Sequence, residues 1–438
     1  MASFDIDRRA LIAAGALAAT ASAAKAEVKR ATGPGFLWGT AGAAYQVEGG
    51  NYASDVWALE HIKPTYFVEP SGDAADVYNR VEQDLAYVAS LGFNCHRFSL
   101  EWSRIEPEQG QISYAGLDYY RRVLEACHRH KLAPVVTYNH NSVPRWFAAA
   151  GGFETPDGIL PFVGFCDLVT RHMGDLIAVA ATLNEPNVNA LLYWIPQLQA
   201  GQAALADMRR SIAANLNAPR WSSPIFGDFH IQQPIMIETH ARAYDAIKAA
   251  SGGRLPVGVT LALNNDLPPR PESGLTSGVQ AKRAQILTPW LNAPGDWVGI
   301  QNYTEARVGL TADLPNDPGV EVTQMGYPFA PRALEAVIRT VAGLTKRPIY
   351  VTENGIATED DSRRVAFIRE AVKGVLAARA DGIDVRSYIH WSLLDNFEWT
   401  NGYRPKFGLV AVDRQTFKRT PKPSAAFFGA IARTGQVT

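Results

Sequence analysis

Two glutamates, Glu185 and Glu353, each stand at the end of a short apolar run that is typical of a β-strand. Cleavage of a glycosidic bond needs two carboxyl groups that meet at one place in the fold. One of them holds a proton for the departing oxygen, while the other stays ionised beside the anomeric carbon. The order and contexts of two strings predict such a pair. The strings are Thr182-Leu183-Asn184-Glu185-Pro186 and Tyr350-Val351-Thr352-Glu353-Asn354-Gly355.

Beyond residue 30, runs of β-branched or aromatic residues alternate with longer amphipathic stretches. Strand–helix repetition at this count predicts a single closed parallel (β/α)8 barrel, and no break in composition indicates a second domain. The eight predicted strands are 36–44, 94–101, 133–140, 177–184, 256–263, 297–303, 348–353 and 387–393. The stretches with helical periodicity are 76–90, 114–130, 158–172, 235–250, 331–342 and 361–380.

Polar or aromatic residues end six of the predicted strands, where a barrel of this kind places its active site. A hydrogen bond at a strand end explains any one of them, but a shared site explains all six better. Three longer connections, 193–231, 266–297 and 311–329, are expected to wall the mouth of the barrel and to shape the leaving-group side of the site. The strand-end residues are Glu101, His140, Asn184 with Glu185, Tyr303, Glu353 and Trp391.

Composition narrows the classes of partner. The chain has 438 residues, a formal net charge of −1 and 47% hydrophobic residues, which is ample for one large core. A charge so close to zero gives no electrostatic reason to expect nucleic acid or an anionic membrane as a partner. Cys95, Cys127 and Cys166 lack the spacing of metal ligands, so buried free thiols are expected.

Residues 1–26 are predicted to be an export signal that is separate from the folded domain, 27–438. The adjacent Arg8 and Arg9 precede a mildly apolar run from Ala10 to Ala19, as in a twin-arginine signal. Cleavage is expected after Ala26. The apolar run is too short and too rich in alanine to span a bilayer, so no membrane insertion is expected. The predicted location is the periplasm.

Ordered motifs extend along nearly the whole of the predicted mature chain. In the first half they are Phe36-Leu37-Trp38-Gly39-Thr40, Tyr45-Gln46-Val47-Glu48-Gly49 and His96-Arg97-Phe98-Ser99-Leu100-Glu101-Trp102-Ser103-Arg104-Ile105. In the second half they are Trp391-Ser392-Leu393-Leu394-Asp395-Asn396-Phe397-Glu398-Trp399, Phe407-Gly408-Leu409 and Lys418-Arg419-Thr420-Pro421-Lys422. With the two glutamate strings, they closely resemble glycoside hydrolase family 1, the retaining β-glucosidase family. The resemblance implies a (β/α)8 barrel, exo-acting hydrolysis of small β-glycosides, and neither a cofactor nor a metal.

The resemblance also implies roles for four residues. Glu353 matches the nucleophile that forms a covalent glycosyl ester, and Glu185 matches the acid/base that protonates the departing oxygen and later activates water. Retention requires the two carboxyl groups to lie about 5–5.5 Å apart. Arg97 and Tyr303 match residues that hold the nucleophile: a cation keeps it charged and a phenol hydrogen bond fixes its direction.

Further matches imply a binding site for the non-reducing sugar. Asn184 is expected to reach its 2-hydroxyl, and Trp391 to supply a stacking floor. The carboxylate of Glu398 would repel a phosphorylated sugar, so an unphosphorylated substrate is expected. Because position 185 is a glutamate and not a glutamine, ordinary O-glycosides are the expected class. The residues expected to hydrogen-bond the sugar hydroxyls are Gln46, His140, Asn184, Glu398 and Trp399.

Two departures from the family pattern leave the identity of the substrate's sugar undecided. The family commonly has His-Trp-Asp where this chain has His140, Asn141 and Ser142, and Asn-Tyr-Tyr where it has Gln301, Asn302 and Tyr303. Each change replaces one hydrogen-bonding group by another. The chemistry is expected to survive, while glucose, galactose and fucose all stay possible.

A β-glucosidase is the leading prediction, and two alternatives remain. A transglycosidase would use the same glutamates and pass the glycosyl group to an acceptor hydroxyl. The apolar segments 194–196 and 221–226 favour such an acceptor or an aromatic or lipid-like leaving group. A non-catalytic sugar-binding barrel is the other alternative, and the presence of both glutamates counts against it. The sequence does not indicate the natural leaving group, the linkage preference or the oligomeric state.

Overall fold

The computed structural model describes residues 35–270, 274 and 276–437. In this part of the chain, eight parallel strands form a closed barrel in which each strand pairs with its sequence neighbours and β1 pairs with β8. The predicted barrel is confirmed. Its strands are β1 (Leu37–Ala41), β2 (Cys95–Ser99), β3 (Ala133–Asn139), β4 (Val179–Asn184), β5 (Val257–Ala262), β6 (Trp297–Asn302), β7 (Ile349–Asn354) and β8 (Val385–Trp391).

Eight helices, one after each strand, are numbered here in chain order, and the six predicted helices are among them. The helices are α1 (Val77–Ser90), α2 (Tyr114–Arg129), α3 (Ile159–Met173), α4 (Phe229–Ala250), α5 (Ser277–Ile286), α6 (Ala333–Leu344), α7 (Asp361–Ala380) and α8 (Pro423–Thr434). Side-chain oxygens at two predicted boundaries cap the backbone: Ser113 accepts from Gly116 N–H at the start of α2, and Asp360 accepts from Ser362 N–H at the start of α7.

Additional elements complete the described chain. Asn265–Leu267 pairs with Glu305–Arg307, and Val410–Val412 pairs with Arg419–Pro421. The additional helices are Ala44–Glu48, Asp55–His61, Trp102–Ile105, Arg145–Ala149, Gly152–Glu154, Pro156–Gly158, Gly174–Leu176, Val188–Leu192, Pro196–Ala200, Gln202–Asn215, Thr288–Asn292 and Trp399–Asn401.

Strands β3 to β7 are buried along their whole length, which explains their nearly continuous apolar sequences. One face of each strand packs inside the barrel and the other packs beneath the helices. Residue 258 in β5 is a glycine because a Cβ atom there would lie 2.5 Å from the ring of Trp297 in β6. Glycine therefore lets these two strands approach with a tryptophan between them.

Two of the predicted long connections contain helices that the sequence analysis did not predict. Of the predicted long connection 193–231, the segments Pro196–Ala200 and Gln202–Asn215 are helical. The predicted connection 266–297 contains α5 and Thr288–Asn292. The cavity at the barrel mouth is lined by residues of the first connection, among them Leu198 and Leu205, and by Met325 and Tyr327 of 311–329. No described residue of 266–297 lines it, so that part of the prediction is not supported.

Cys95, Cys127 and Cys166 are buried and free, as expected. In the described residues, no helix has the length and apolar character that crossing a membrane requires. The predicted export signal, 1–26, lies outside the described residues and stays a prediction, as does the periplasmic location.

Candidate active site

Glu185 and Glu353 line one cavity of about 480 Å³ at the carboxyl ends of the barrel strands. Glu353 belongs to β7, and Glu185 directly follows β4. Arg97 and Asn184 do not line the cavity but are buried next to it and bond to each other. The other predicted site residues that line the same cavity are Gln46, His140, Tyr303, Trp391, Glu398 and Trp399.

Three side chains hold the carboxylate of Glu353. Arg97 Nη1 forms an ion pair with Oε1, and Gln301 Nε2 donates to the same oxygen at 2.9 Å. The Tyr303 hydroxyl donates to Oε2 at 2.5 Å. Because both carboxylate oxygens accept hydrogen bonds, one of them from a buried cation, the direction of the carboxylate is fixed and its charge is balanced.

Glu185 has the opposite environment. Among the described residues, no hydrogen bond reaches its carboxyl group. Burial raises the pKa of Glu185 well above its usual range, and the negative charge of Glu353 raises it further. Burial also raises the pKa of Glu353, but Arg97 and Tyr303 act against that rise. A proton shared by this pair therefore resides on Glu185, and Glu353 carries the charge.

The backbone at Glu185 is unusual for its residue type. Its φ is +44°, in the left-handed region that side chains other than glycine rarely adopt, and its N–H donates to the Thr260 carbonyl at 2.8 Å. Asn141 (φ +60°) and Trp399 (φ +48°) share this conformation and line the same cavity. Such conformations persist where surrounding contacts enforce them, and they are concentrated at functional sites.

Asn184 is held so that one end of its amide remains available. Its Oδ1 accepts from Arg97 Nη2 at 2.6 Å, from Gln301 Nε2 at 2.9 Å and from Thr260 Oγ1 at 3.2 Å. These three donors fix which end of the amide faces the cluster. The remaining Nδ2 is a donor, as the predicted contact with a sugar 2-hydroxyl requires.

Gln46 and Glu398 form a polar corner of the cavity. Gln46 Nε2 donates to the Phe397 carbonyl at 2.8 Å and to Glu398 Oε2 at 3.3 Å. Gln46 Oε1 is buried without a partner in the described chain, so it is an acceptor for a ligand hydroxyl. Burial, together with the charge of Glu353, raises the pKa of Glu398 to about 8. Near neutral pH this carboxyl can both donate and accept.

Three stacked rings form a flat wall beside that corner. The His140 ring lies 5.6 Å from Trp391 at an interplanar angle of 23°, and 6.4 Å from Trp399 at 20°. Burial, and then the charge of Arg97, lower the pKa of His140 well below its usual range, so the imidazole is neutral. Aromatic faces with a neutral polar edge suit a sugar ring.

The family model described as glycosyl hydrolase family 1 matches residues 29–294 and 290–437. The chain belongs to glycosyl hydrolase family 1. It is therefore a glycoside hydrolase.

Two solved structures superpose closely on the chain. A β-glucosidase designated 1317 is 59% identical with a TM-score of 0.89, over 92% of this chain and 99% of that one. A β-glycosidase is 44% identical with a TM-score of 0.83, over 93% of this chain and 99% of that one. Among curated relatives, the β-glucosidase of Agrobacterium sp. is 29% identical and aligns with 91% of this chain and 94% of its own.

Within this family 1 site, sequence reasoning missed the position of Gln301. It noted the residue only as a changed contact, whereas Gln301 Nε2 bridges Glu353 and Asn184. Strand register offers the missing signal, because Gln301 in β6 pairs with Glu353 in β7. Glu101, by contrast, was grouped with the site but does not line the cavity: it accepts hydrogen bonds from Ser103 and Ser142 and so holds the turn after β3.

Replacing Gln301 by alanine removes one hydrogen bond to the charged Glu353 and one to Asn184. A hydrogen bond to a charged group contributes about 1.5–3 kcal/mol, so kcat/KM is expected to fall about 10- to 100-fold. The assay is hydrolysis of 4-nitrophenyl β-glucoside, with the exposed Gln415→Ala as the matched control. A folded Gln301→Ala enzyme within twofold of the parent would show that the bridge does not position Glu353.

Proposed function

We propose that this family 1 enzyme is a retaining exo-β-glycosidase, with β-glucosides as its main substrates. The observation that carries the proposal is the contrast between two carboxyl groups in one cavity. Glu353 is bonded by Arg97, Gln301 and Tyr303, whereas Glu185 has no such partner among the described residues. An anchored anion beside a protonated acid is the arrangement that double displacement needs.

In the first step, Glu353 attacks the anomeric carbon as the bond to the leaving oxygen breaks. Glu185 gives its proton to that oxygen, so the aglycone leaves as a neutral alcohol and the sugar stays as an ester of Glu353. In the second step, Glu185 takes a proton from water, and the resulting hydroxide displaces Glu353. Two inversions at the anomeric carbon retain its configuration.

The electrostatics of the pair suit both roles of Glu185. While Glu353 is charged, it raises the pKa of Glu185 and keeps the acid protonated. Formation of the ester removes that charge, so the pKa of Glu185 falls and the carboxylate becomes a base. The switch therefore needs no movement of a further group.

An unphosphorylated sugar fits the cavity best. Its described lining residues include Glu185, Glu353 and Glu398 but neither lysine nor arginine. A phosphate would thus meet carboxyl groups, while the cation next to the cavity, Arg97, is already paired with Glu353. The names of the β-glucosidase relatives support glucose, while Asn141 and Gln301 make a comparison of sugars necessary.

A panel of 4-nitrophenyl glycosides tests the proposal. The β-glucoside is expected to have the highest kcat/KM, above the galactoside, fucoside, xyloside and mannoside, and the 6-phospho-β-glucoside is expected to be poor. Nuclear magnetic resonance should show the β-anomer as the first product. Free sugar equal to the released nitrophenol indicates hydrolysis, while a deficit of free sugar indicates transfer to an acceptor. An initial α-anomer, or no turnover by folded protein, would refute the proposal.

A further inference from the structure

The cavity changes character from its floor to its mouth. The floor is polar and buried, and Glu353 there is 3% exposed. The side facing the solvent, here called the outer wall, is apolar, and Leu198 there is 38% exposed. This wall comes from the helices and turns between Glu185 and α4. It consists of Leu192, Tyr193, Leu198, Leu205, Ile225 and Phe226.

Two polar side chains beside the outer wall, those of Asn189 and Gln202, are hydrogen-bonded to the protein. Asn189 Nδ2 donates to the Pro224 carbonyl at 2.7 Å and to Gln232 Oε1 at 3.0 Å. Gln202 Nε2 donates to the Leu198 carbonyl at 3.0 Å. A second sugar ring placed here would leave several hydroxyls against leucine and phenylalanine without partners, which disfavours a disaccharide.

Apolar contacts continue beyond the cavity. The ring of Phe226 lies 6.5 Å from that of Tyr66, and Tyr66 is 53% exposed. Phe67 also meets Phe226, at 6.1 Å and nearly perpendicular. Aromatic contacts therefore continue from Phe226 in the outer wall to the exposed ring of Tyr66.

We infer that the natural substrates are β-glycosides whose aglycone is an extended hydrocarbon group. This inference rests on the proposed glycosidase function and names the leaving group that function uses. The sugar lies on the polar floor, and the hydrocarbon lies along the outer wall. Its transfer from water to leucine, isoleucine and phenylalanine supplies the binding free energy. A hydrocarbon aglycone suits the outer wall because that wall contains no charged residue, whereas the charged residues of the site all lie on the floor.

Alkyl β-glucosides of rising chain length, compared with cellobiose, test the inference. From butyl to octyl β-glucoside, kcat/KM is expected to rise about tenfold, since each added methylene buries further apolar surface. Octyl β-glucoside is expected to exceed cellobiose, although the sugar hydroxyl of cellobiose is the more acidic leaving group. In the double variant L198N/L205N, the octyl-to-butyl ratio should fall below threefold. That ratio is independent of the active fraction of a sample, and Leu160→Asn, on the exposed face of α3, should keep it at about ten.

Hydrolysis of β-glucosyl fluoride distinguishes a failure of the aglycone inference from a failure of the proposed glycosidase function. Its one-atom leaving group does not reach the outer wall, so its hydrolysis by the unmodified enzyme reports the sugar site alone. If the fluoride is hydrolysed but the alkyl series is flat and cellobiose is faster, the inference is wrong and the glycosidase function stands. If the fluoride is not hydrolysed either, the proposed function itself fails.

Discussion

Replacing Glu353 by glutamine is expected to lower kcat by about 10⁶-fold, the scale on which loss of a covalent nucleophile acts. The amide has nearly the same shape as the carboxyl group, but it cannot form the glycosyl ester. It also loses the ion pair with Arg97, which is 1% exposed, so a buried cation is left without its counter-charge. The assay is hydrolysis of 4-nitrophenyl β-glucoside, with thermal unfolding measured on the same sample.

Two comparisons make the Glu353 result specific. The same substitution at the exposed Glu359 should leave kcat unchanged within twofold. In Glu353→Ala, added azide should restore turnover and give the α-glucosyl azide, because azide then attacks from the side that the carboxylate occupied. A β-glucosyl azide from this variant would be inconsistent with Glu353 as the nucleophile.

The barrel could be predicted because five of its strands, β3 to β7, are buried along their whole length and so have nearly continuous apolar sequences. Strand β6, for example, begins at Trp297 as predicted, and its apolar run ends where the chain turns at the rim. The helix Gln202–Asn215 was harder to recognise. Its buried residues are confined to Met208, Ile212 and Ala213 near the carboxyl end, so the amphipathic pattern is short and weak.

The family resemblance predicted the members of the site, the roles of the two glutamates and the contacts of Arg97 and Tyr303 with Glu353. The contact of Gln301 with Glu353 was not predicted, and only the geometry shows it. The left-handed backbone of Glu185 is likewise invisible in the sequence. It depends on contacts between β4 and β5 that no local pattern encodes.

Replacing Glu185 by alanine is expected to have an effect that depends on the leaving group. For an alkyl β-glucoside, whose alcohol must be protonated as it departs, kcat/KM should fall about 10³-fold, within the usual range for general acid catalysis. For 2,4-dinitrophenyl β-glucoside, whose phenolate needs no proton, kcat/KM should stay near that of the parent. The kcat for this substrate should nevertheless fall, because the glycosyl ester then lacks a base for its hydrolysis. Added azide should restore kcat and give the β-glucosyl azide. Exposed Glu359→Ala is the control.

The pH dependence of kcat/KM provides a second test of Glu185 as the general acid, because the direction of the change is fixed. The parent needs Glu185 protonated, so kcat/KM for the alkyl substrate declines as the pH rises through the pKa of Glu185. Because burial and Glu353 raise that pKa, the decline begins at a higher pH than an ordinary glutamate would give. This alkaline limb should disappear in Glu185→Ala, while the acid limb, set by protonation of Glu353, should remain. If kcat/KM fell equally for the alkyl and the dinitrophenyl substrate, and the alkaline limb remained in Glu185→Ala, Glu185 would have a structural role. A proton donor, by contrast, affects the basic leaving group selectively and also produces the alkaline limb.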